Sequence, residues 1–532
     1  MLPAPPRAST RSNLASLATR TRWVFAVAAL VLSACQPNRF VSVWAPYWNS
    51  ASGRATIADS GAASLFSEVS PFWYAATADG SVTTTGGASN LAATVDAARG
   101  QGLPVIPSVV DGTAPGQMSA ILDNPVTRAA HVQNIVDLVM SKGYDGIDLD
   151  YEVFAFRVPK DQWPAITPDW VAFIDSLANA LHSRGKLLSV TVPPVWISGG
   201  VTRGYTVYAQ AQIAPMVDRL RLMVYDWSVD APGPIAPMSW VNQVIAYSSP
   251  LVPASKLQLG VPAYGRRWGT QKNANEVCPD GALSKSSVEM KDAAALAAAH
   301  GAAPVRDPAG SGELTFSWTE KVTGPRTKPL IAPVLPPWLI TVSKVNAPSA
   351  GNPLQPALRL APPSATVTCT VVHTAFVPDA ISVRQRADAA VAAGWSGIVI
   401  WALGFEPLNV YQSLAGIAPQ RPDGAPSGSL AAPTVVGGSV RVTGQALHPE
   451  FDLPVPVRLT VTKTVGGSTV VHTVLARTQV TGMPLGVGRF HGIDDTFTLL
   501  APGSYTVCGE VLRWGGATAA ATNCQPFVVA GV

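Results

Sequence analysis

The chain of 532 residues carries little charge, and outside its N-terminus neither sign is in excess. Charged residues make up 13% of the sequence, and four arginines within residues 1–34 account for the whole formal net charge of +4. Since nucleic-acid binding depends on clustered positive charge, we expect no nucleic-acid partner. The five cysteines include no C-x-x-C pair and no cluster with histidine, so the spacing of a zinc site is lacking.

The N-terminus also lacks an apolar stretch long enough to cross a bilayer. The run Trp23–Leu32 follows a basic segment without acids and has the length of a signal-peptide core. The next residues, Leu32-Ser33-Ala34-Cys35, are similar to a bacterial lipobox. We therefore expect residues 1–34 to be a lipoprotein signal peptide and Cys35 to carry a lipid that anchors the protein to the bacterial cell membrane, outside the cytoplasm. The alternative is an ordinary secretory signal followed by a chance cysteine.

Hydrophobic residues make up 47% of the sequence, and eight apolar segments alternate with helical patterns. Such segments are typical of parallel strands covered by helices. Eight repeats favour an α/β fold of the (β/α)₈ TIM-barrel type over a doubly wound sheet. Asn124 before Pro125 and Thr167 before Pro168 are each predicted to begin a helix. The predicted strands are Phe40–Trp48, Glu68–Ala75, Leu103–Val110, Asp145–Glu152, Leu187–Val195, Arg219–Trp227, Lys256–Gly265 and Gly397–Gly404.

Composition divides the rest of the chain. The barrel is predicted over residues 35–418, with an α+β insertion between strands 7 and 8 at about residues 266–378. Residues 419–433 are rich in Pro, Gly, Ala and Ser and are predicted to be a flexible linker. Residues 434–532 contain short alternating segments separated by turns, which favour an immunoglobulin-like β-sandwich. No acid pair or metal cluster stands out there, so we expect this module to serve in binding or spacing.

The four cysteines after Cys35 permit three pairings. Cys278 and Cys369 both lie in the insertion, whereas Cys508 and Cys524 lie on neighbouring late segments of the last domain. Domain boundaries therefore favour disulfides between Cys278 and Cys369 and between Cys508 and Cys524, each confined to one domain.

The stretch Asp145-Gly-Ile-Asp-Leu-Asp-Tyr-Glu152 has three acids on one predicted strand face. Side chains at i, i+2 and i+4 point the same way, so Asp148, Asp150 and Glu152 alternate with apolar residues. In a poorly solvated site at least one of the three should keep a proton at neutral pH, as general-acid catalysis requires. The alternatives are a solvated acidic edge or a calcium loop. The interleaved residues are apolar and no calcium-loop spacing follows, so the pattern favours catalysis.

Aromatic and polar residues lie at the predicted C-terminal ends of several strands, where the active site of a TIM barrel forms. Aromatic rings at such a rim stack on the apolar faces of sugars, and polar tips hydrogen-bond to hydroxyls. Each of these aromatics alone is more simply read as core packing, but their recurrence on separate strands favours binding. The predicted substrate-binding residues are Trp73, Tyr74, Asp226, Trp227, Tyr264 and Trp401.

The acid strand resembles the D-G-x-D-x-D-x-E signature of family 18 glycoside hydrolases, the chitinase-like TIM barrels. Four acids and a glycine over eight positions make this a specific motif. Met223-Val-Tyr-Asp226 resembles the family's M-x-Y-D segment, and Trp401 matches the tryptophan that forms the floor of the cleavage subsite. The resemblance covers roughly Phe40–Ala418. The third strand departs from the family pattern, with Ser108-Val-Val-Asp111 in place of S-x-G-G.

The resemblance implies a retaining hydrolase of β-1,4-linked N-acetylglucosamine polymers, chitin or peptidoglycan, in which the substrate's own N-acetyl oxygen is the nucleophile. It implies that Glu152 protonates the glycosidic oxygen and then acts as base on water. It further implies that Asp150 orients the acetamido group and that Asp148 shares a proton with Asp150. Tyr225 would hold the acetamido oxygen in place. This chemistry needs no metal or organic cofactor.

Two readings from other functional classes stay open. A catalytically silent chitinase-like lipoprotein that only binds carbohydrate would typically lose the acid, whereas Glu152 is present. A scaffold lipoprotein whose barrel presents the C-terminal module would depend on that module and tolerate a change at Glu152.

We predict that Cys35→Ala releases the protein from membranes or stalls its processing, because the thioether-forming side chain is lost. Membrane fractionation of cells that express the variant and the wild type measures this. A processed Cys35→Ala protein that still fractionates entirely with the membrane would contradict the lipid anchor.

Overall fold

The computed structural model describes residues 39–326, 365–417, 424–498 and 500–531. The predicted signal peptide, Cys35, the middle of the insertion and part of the linker lie outside the described residues. Tyr225–Trp240 and Pro262–Ser382 form one compact unit, and the other described residues form a second. Within the described residues no helix is both long and apolar enough to cross a membrane.

Eight parallel strands, β1 to β8 in chain order, form a closed barrel. Each strand neighbours the next one in this series, and β8 pairs with β1 through Ile398 and Val41. The predicted TIM barrel is therefore confirmed. The strands span Val41–Pro46, Phe66–Ala76, Ser108–Val110, Gly146–Asp150, Leu187–Val192, Arg219–Leu222, Leu257–Pro262 and Gly397–Trp401.

The third strand is much shorter than the sequence predicts. Regular pairing is confined to β3, and Val105 makes only a single parallel bridge to Val69. Pro104 and Pro107 interrupt this segment, and proline has no N–H to donate to a ladder. The regular strand is therefore restricted to the C-terminal end of the barrel, and Asp111 follows its last residue directly.

Helices alternate with the strands along the chain. The predicted helix start at Asn124 is confirmed: the side chain of Asn124 accepts a hydrogen bond from the N–H of Val126, and Gly143 ends the helix with a φ of 63°. The helices span Ser50–Ala58, Ser60–Ala63, Ala88–Gly100, Gln117–Asp123, Pro125–Lys142, Val153–Phe156, Trp163–His182, Gln210–Ile213, Met238–Ser248, Ala380–Ala392 and Asn409–Leu414.

The predicted helix start at Thr167 is wrong. The helix already begins at Trp163, where Pro164 occupies the first turn, and Pro168 lies inside it. Proline is tolerated in the first turn because the N–H it lacks has no partner there. The hydroxyl of Thr167 donates to the carbonyl oxygen of Trp163, four residues earlier, at 2.8 Å, as hydroxyl side chains inside helices do.

In its described residues, 266–326 and 365–378, the insertion between β7 and β8 combines an antiparallel sheet with a short α-helix, Ala293–Ala299, as the sequence predicts. Phe316 and Trp318 pack against that helix in a small core. The predicted disulfide between Cys278 and Cys369 is present. The strands of this sheet span Tyr264–Gln271, Lys285–Glu289, Val305–Arg306, Leu314–Arg326 and Ala365–Val377.

The C-terminal module consists of two antiparallel sheets around one apolar core that includes Val442, Leu459 and Val507. The predicted disulfide between Cys508 and Cys524 is present. The first sheet contains Ser427–Leu430, Thr434–Val436, Ser439–Leu447, Thr478–Gln479 and Phe490–Phe497. The second contains Val455–Lys463, Thr469–Ala476, Gly503–Leu512, Thr518–Ala521 and Gln525–Val529.

Part of the predicted linker 419–433 is wrong. Ser427–Leu430 pairs with Ser439–Leu447 as an edge strand of the module, although its composition is that of a linker. The amide of Asn523 donates to the carbonyl oxygen of Leu430 at 2.9 Å. Small residues suit this strand because a Cβ at Gly428 would lie only 2.9 Å from the side chain of Val511. Close packing, not flexibility, explains the composition there.

The module docks on the N-terminal end of the barrel, opposite the strand ends at which TIM-barrel active sites form. Several of its polar contacts fall on residues at or just before the starts of barrel strands. Arg39, before β1, pairs with Glu450 at 3.3 Å, and Asp145, before β4, accepts the backbone N–H of Gly515 at 2.6 Å. The guanidinium of Arg219, the first residue of β6, donates to the carbonyl oxygen of Asp452.

A buried carboxylate lies at the centre of this junction. Asp218 is 2% exposed and pairs with Arg477 of the module at 3.1 Å and with His182 of the barrel at 2.9 Å. Burial opposes its charge, but His182 and Arg477 outweigh that cost and hold the pKa of Asp218 below its usual range. A desolvated charge with partners from both domains makes the docking specific.

We predict that Arg477→Ala lowers the free energy of unfolding by on the order of 2 kcal/mol, below the 3–5 kcal/mol typical of a fully buried pair because His182 still faces Asp218. Urea unfolding at pH 7 measures the change. Arg441→Ala is the matched control, since Arg441 forms an exposed pair with Asp494 inside the module and should change stability little. Equal effects of the two variants would contradict the importance of the junction.

Candidate active site

The three acids of the acid strand differ in their surroundings. Asp148 and Asp150 lie within β4 and are 0% and 4% exposed, whereas Glu152 is partly exposed beyond the end of the strand. The predicted common strand face therefore holds for Asp148 and Asp150 only. At Glu152 the backbone has turned into the helical region, with φ −101° and ψ −42°, and it leads into the helix Val153–Phe156.

Asp148 is surrounded by hydrogen-bond donors. One of its oxygens accepts from the indole N–H of Trp44 at 3.0 Å and from the hydroxyl of Ser108 at 2.8 Å. The guanidinium of Arg221 lies 3.2 Å from that same oxygen, and the hydroxyl of Thr191 donates to the other oxygen at 3.1 Å. These donors come from four different strands and fix the position of the Asp148 side chain.

The guanidinium of Arg221 sits inside the barrel with no solvent exposure. It donates to Glu68 at 2.8 Å, to the hydroxyl of Ser70 at 2.7 Å and to the side chain of Gln258 at 3.0 Å. Arg221 and Glu68 were not among the site residues predicted from the sequence. A signal was present, because each is a charged residue within a strand predicted to be buried, and charges so placed are paired.

Asp150 is a buried acid whose pKa is strongly raised. Burial, followed by the neighbouring charges of Glu152, Asp148 and Asp111, raises the pKa of Asp150 well above its ordinary value, and Arg221 opposes this only in part. Its Oδ1 is buried without a hydrogen-bond partner among the described residues. The direction of this shift is the one that favours a protonated carboxyl at neutral pH.

Asp111 is a further buried acid beside the acid strand. Its Oδ1 accepts the backbone N–H groups of Glu152 at 2.8 Å and Val153 at 3.0 Å, and its Oδ2 accepts that of Phe154. Burial raises the pKa of Asp111 to about 6, although the three N–H bonds lower it in part. The sequence analysis noted Asp111 only as a departure from S-x-G-G and missed its contacts, because they reach across from a neighbouring strand.

The aromatic residues at this end of the barrel are arranged differently from the prediction. Trp401 is only partly buried. The centroid of its ring lies 6.0 Å from the ring centroids of Trp44 and Trp48 and 4.9 Å from that of Phe72, with the rings packed edge to face. Trp48 is 53% exposed and Tyr47 is 36% exposed. Neither was among the predicted binding residues, although both follow β1 directly.

Trp73 and Tyr74 are not available for stacking on a ligand, which corrects the prediction. They are 0% and 3% exposed, and the hydroxyl of Tyr74 lies 2.7 Å from that of Tyr144. The reason is that β2 continues to Ala76 and pairs there with an additional antiparallel strand, Val82–Thr84. Both aromatic residues therefore lie within a paired strand and not at its free end.

The other predicted residues belong to the smaller unit. Tyr264, predicted to bind substrate, is buried, and its hydroxyl donates to Oδ1 of Asp226 at 2.5 Å. Asp226 also accepts from Arg266 at 2.8 Å and has a φ of 61°. The rings of Tyr225 and Tyr264 are 6.2 Å apart. Trp227 remains 47% exposed.

No metal site is found among the residues that the structure describes: no group of three or more His, Cys, Asp or Glu side chains there is arranged to hold an ion. Asp148 is instead bonded to Arg221 and to hydroxyls, and Asp111 to backbone N–H groups. This arrangement is suited to proton transfer, because Asp150, whose pKa is strongly raised, neighbours the partly exposed Glu152.

Comparison with known proteins gives one family match. The model of the glycosyl hydrolases of family 18 matches residues 44–406, more than half of the chain. The putative sporulation-specific glycosylase YdhD of Bacillus subtilis (strain 168) is 31% identical over 157 residues, which cover 28% of this chain and 33% of YdhD. The cortical fragment-lytic enzyme of Bacillus anthracis is 26% identical over 179 residues, which cover 32% of this chain and 39% of that enzyme. The chain spans less than half the length of either relative.

Solved structures resemble the fold. The crystal structure of a chitinase from Chromobacterium violaceum ATCC 12472 superimposes with a TM-score of 0.52 at 24% identity, covering 71% of this chain and 98% of that one. At this level of identity the likeness supports the TIM-barrel architecture alone.

We predict that Arg221→Met destabilises the protein by about 3–5 kcal/mol, because it leaves the carboxylates of Glu68 and Asp148 buried without their common cation. Urea unfolding measures the loss. The double variant Arg221→Met with Glu68→Gln is the control. Its free energy of unfolding should be about 1 kcal/mol or more above that of the single variant, because one of the two unpaired buried carboxylates has been removed. A single variant as stable as the wild type would show that the ion pair contributes nothing.

Proposed function

Because the chain belongs to family 18 of the glycosyl hydrolases, we propose that it hydrolyses β-1,4-linked N-acetylglucosamine polymers, chitin or peptidoglycan. The observation that carries the proposal is the pair formed by Asp150, whose pKa is raised, and Glu152, whose side chain is partly exposed at the end of β4. A silent carbohydrate-binding protein has no need to hold a protonated acid there. The names of relatives, a cortical fragment-lytic enzyme and chitinases among them, agree with this substrate class.

The proposed mechanism is substrate-assisted and retaining. Glu152 protonates the glycosidic oxygen, and the substrate's N-acetyl oxygen attacks C1 to give an oxazolinium intermediate. The carboxyl of Asp150 orients the acetamido group and stabilises its developing positive charge. Asp148, fixed by its donors, accepts a share of the proton of Asp150 as that charge develops. Glu152, now a carboxylate, deprotonates the water that opens the intermediate.

The remaining substrate contacts are part of the proposal. Trp401 presents an indole for the sugar at the cleavage point, and Tyr225 binds the acetamido oxygen. The aromatic side chains of Tyr47 and Trp48 add a rim on which further sugar rings can stack. We also propose that Cys35 anchors the enzyme to the cell membrane, outside the cytoplasm, where polymers of this class are accessible.

We predict that Glu152→Gln lowers turnover by at least about 10²–10⁴-fold while sugar binding changes little, because a proton donor and acceptor is lost and the shape is kept. Turnover and binding of tetra-N-acetylchitotetraose, together with turnover of purified peptidoglycan, measure the two effects. Asp161→Asn is the control, since Asp161 is an exposed acid nine residues further along the chain. Retained turnover in Glu152→Gln would rule out Glu152 as the proton donor.

We predict that a fully deacetylated glucosamine polymer is not cut, because it lacks the acetyl oxygen that acts as nucleophile. A thiazoline mimic of the oxazolinium intermediate should inhibit cleavage of the acetylated polymer. The anomeric form of the first product, followed by NMR, should be that of the substrate. Efficient cleavage of the deacetylated polymer, or an inverted product, would contradict substrate assistance.

A further inference from the structure

We propose that Asp111 is the positioning residue of the catalytic acid: its carboxylate holds the backbone of Glu152–Phe154 and thereby fixes the direction of the Glu152 side chain. The inference rests on the proposed function, in which Glu152 is the proton donor. The residues involved lie on neighbouring strands, since β3 pairs with β4 through Val110 and Asp150.

The helix Val153–Phe156 creates the need for such a residue. Its first N–H groups have no partners within the helix, as at every helix start. In most helices the N-cap residue satisfies one of these groups with its own side chain. Here the N-cap position is occupied by Glu152, and its side chain makes no capping hydrogen bond. An acid whose carboxyl must face a substrate is therefore not used to cap its own helix.

Asp111 supplies the cap from the adjacent strand. Its two oxygens accept three consecutive backbone N–H groups, those of Glu152, Val153 and Phe154. Asparagine could not do the same, because its amide nitrogen would face one of these donors. The burial that raises the pKa of Asp111 means that the fold retains a carboxylate here at a cost in stability, which three charge-assisted bonds offset in part.

The effect on Glu152 is geometric. Three bonds determine where its Cα lies and which way its Cα–Cβ bond points, and a displacement of about 1 Å at a proton donor lowers turnover on the order of 10²-fold. Asp111 itself transfers no proton in this scheme, since both of its oxygens already accept backbone N–H groups. It acts through Glu152 and is not itself a catalytic residue.

Asp111→Asn tests the proposal, with Asp145→Asn as the matched control. Asp145 lies at the opposite end of the acid strand, is also buried, and accepts two backbone N–H groups, from Val105 at 2.9 Å and Gly515 at 2.6 Å. Both variants should lose stability. Only Asp111→Asn should lower kcat, on the order of 10²-fold, with KM and the Kd for tetra-N-acetylchitotetraose within about threefold of the wild type.

Hydrogen–deuterium exchange gives a readout that does not depend on activity. In Asp111→Asn the amides of residues 152–154 should exchange about tenfold faster or more, and in Asp145→Asn they should not. If the wild type cleaves neither chitotetraose nor peptidoglycan, the proposed function fails and this exchange result alone decides the role of Asp111. Equal kcat in the two variants, or unchanged exchange at residues 152–154, would overturn the proposal.

The wild type provides the decisive measurement if Asp111→Asn does not fold. Ser60–Ala63 is a helix of the same length, and the side chain of Asp59 caps it through a single bond, from the N–H of Ala62. Amides 152–154 should therefore exchange more slowly than amides 60–62. Equal or faster exchange at 152–154 would overturn the proposal.

Discussion

A single buried cation links acids from two strands inside the barrel. Arg221, on β6, lies 2.8 Å from Glu68 of β2 and 3.2 Å from Asp148 of β4, and none of the three side chains has contact with solvent. Charges buried in this way are costly unless each has a partner. Burial opposes the charge of Glu68, but Arg221 and the other neighbouring donors outweigh it and lower the pKa of Glu68. Burial, followed by the neighbouring acids, raises the pKa of Asp150, and Arg221 opposes this rise in part.

Those parts of the structure that depend on local pattern could be predicted from the sequence. The eight strands are apolar runs between helix signals, and the acids of β4 have a spacing that only a strand places on one face. The parts that were predicted incorrectly depend on contacts between segments that are distant in the sequence. Tyr74 lies in a part of β2 that pairs with the later strand Val82–Thr84, and Ser427–Leu430 pairs as a strand at a place where Gly428 packs closely against Val511. Neither contact has a local signature.

The candidate site shows the same division. Asp148, Asp150 and Glu152 could be recognised from their spacing, whereas Asp111 and Arg221 act through partners more than 40 and 70 residues away in the chain. Strand pairing brings Asp111 and Arg221 close to these partners, and the periodicity of a single segment cannot predict such a contact. The turn at Glu152 was not predicted for a related reason, since Asp111 of the neighbouring strand accepts the backbone N–H of Glu152 there, in addition to the hydrogen bonds within the segment itself.

The docking of the C-terminal module makes the two ends of the barrel unlike. The module covers the end at which the strands begin, and β1 begins at that same end, just after Arg39, which pairs with Glu450. Glu152 and Trp401 follow or end their strands at the opposite, uncovered end. In the sequence the lipid proposed on Cys35 would lie four residues ahead of Arg39. Under the proposed function, the membrane attachment and the cleavage of the polymer would therefore belong to opposite ends of the barrel.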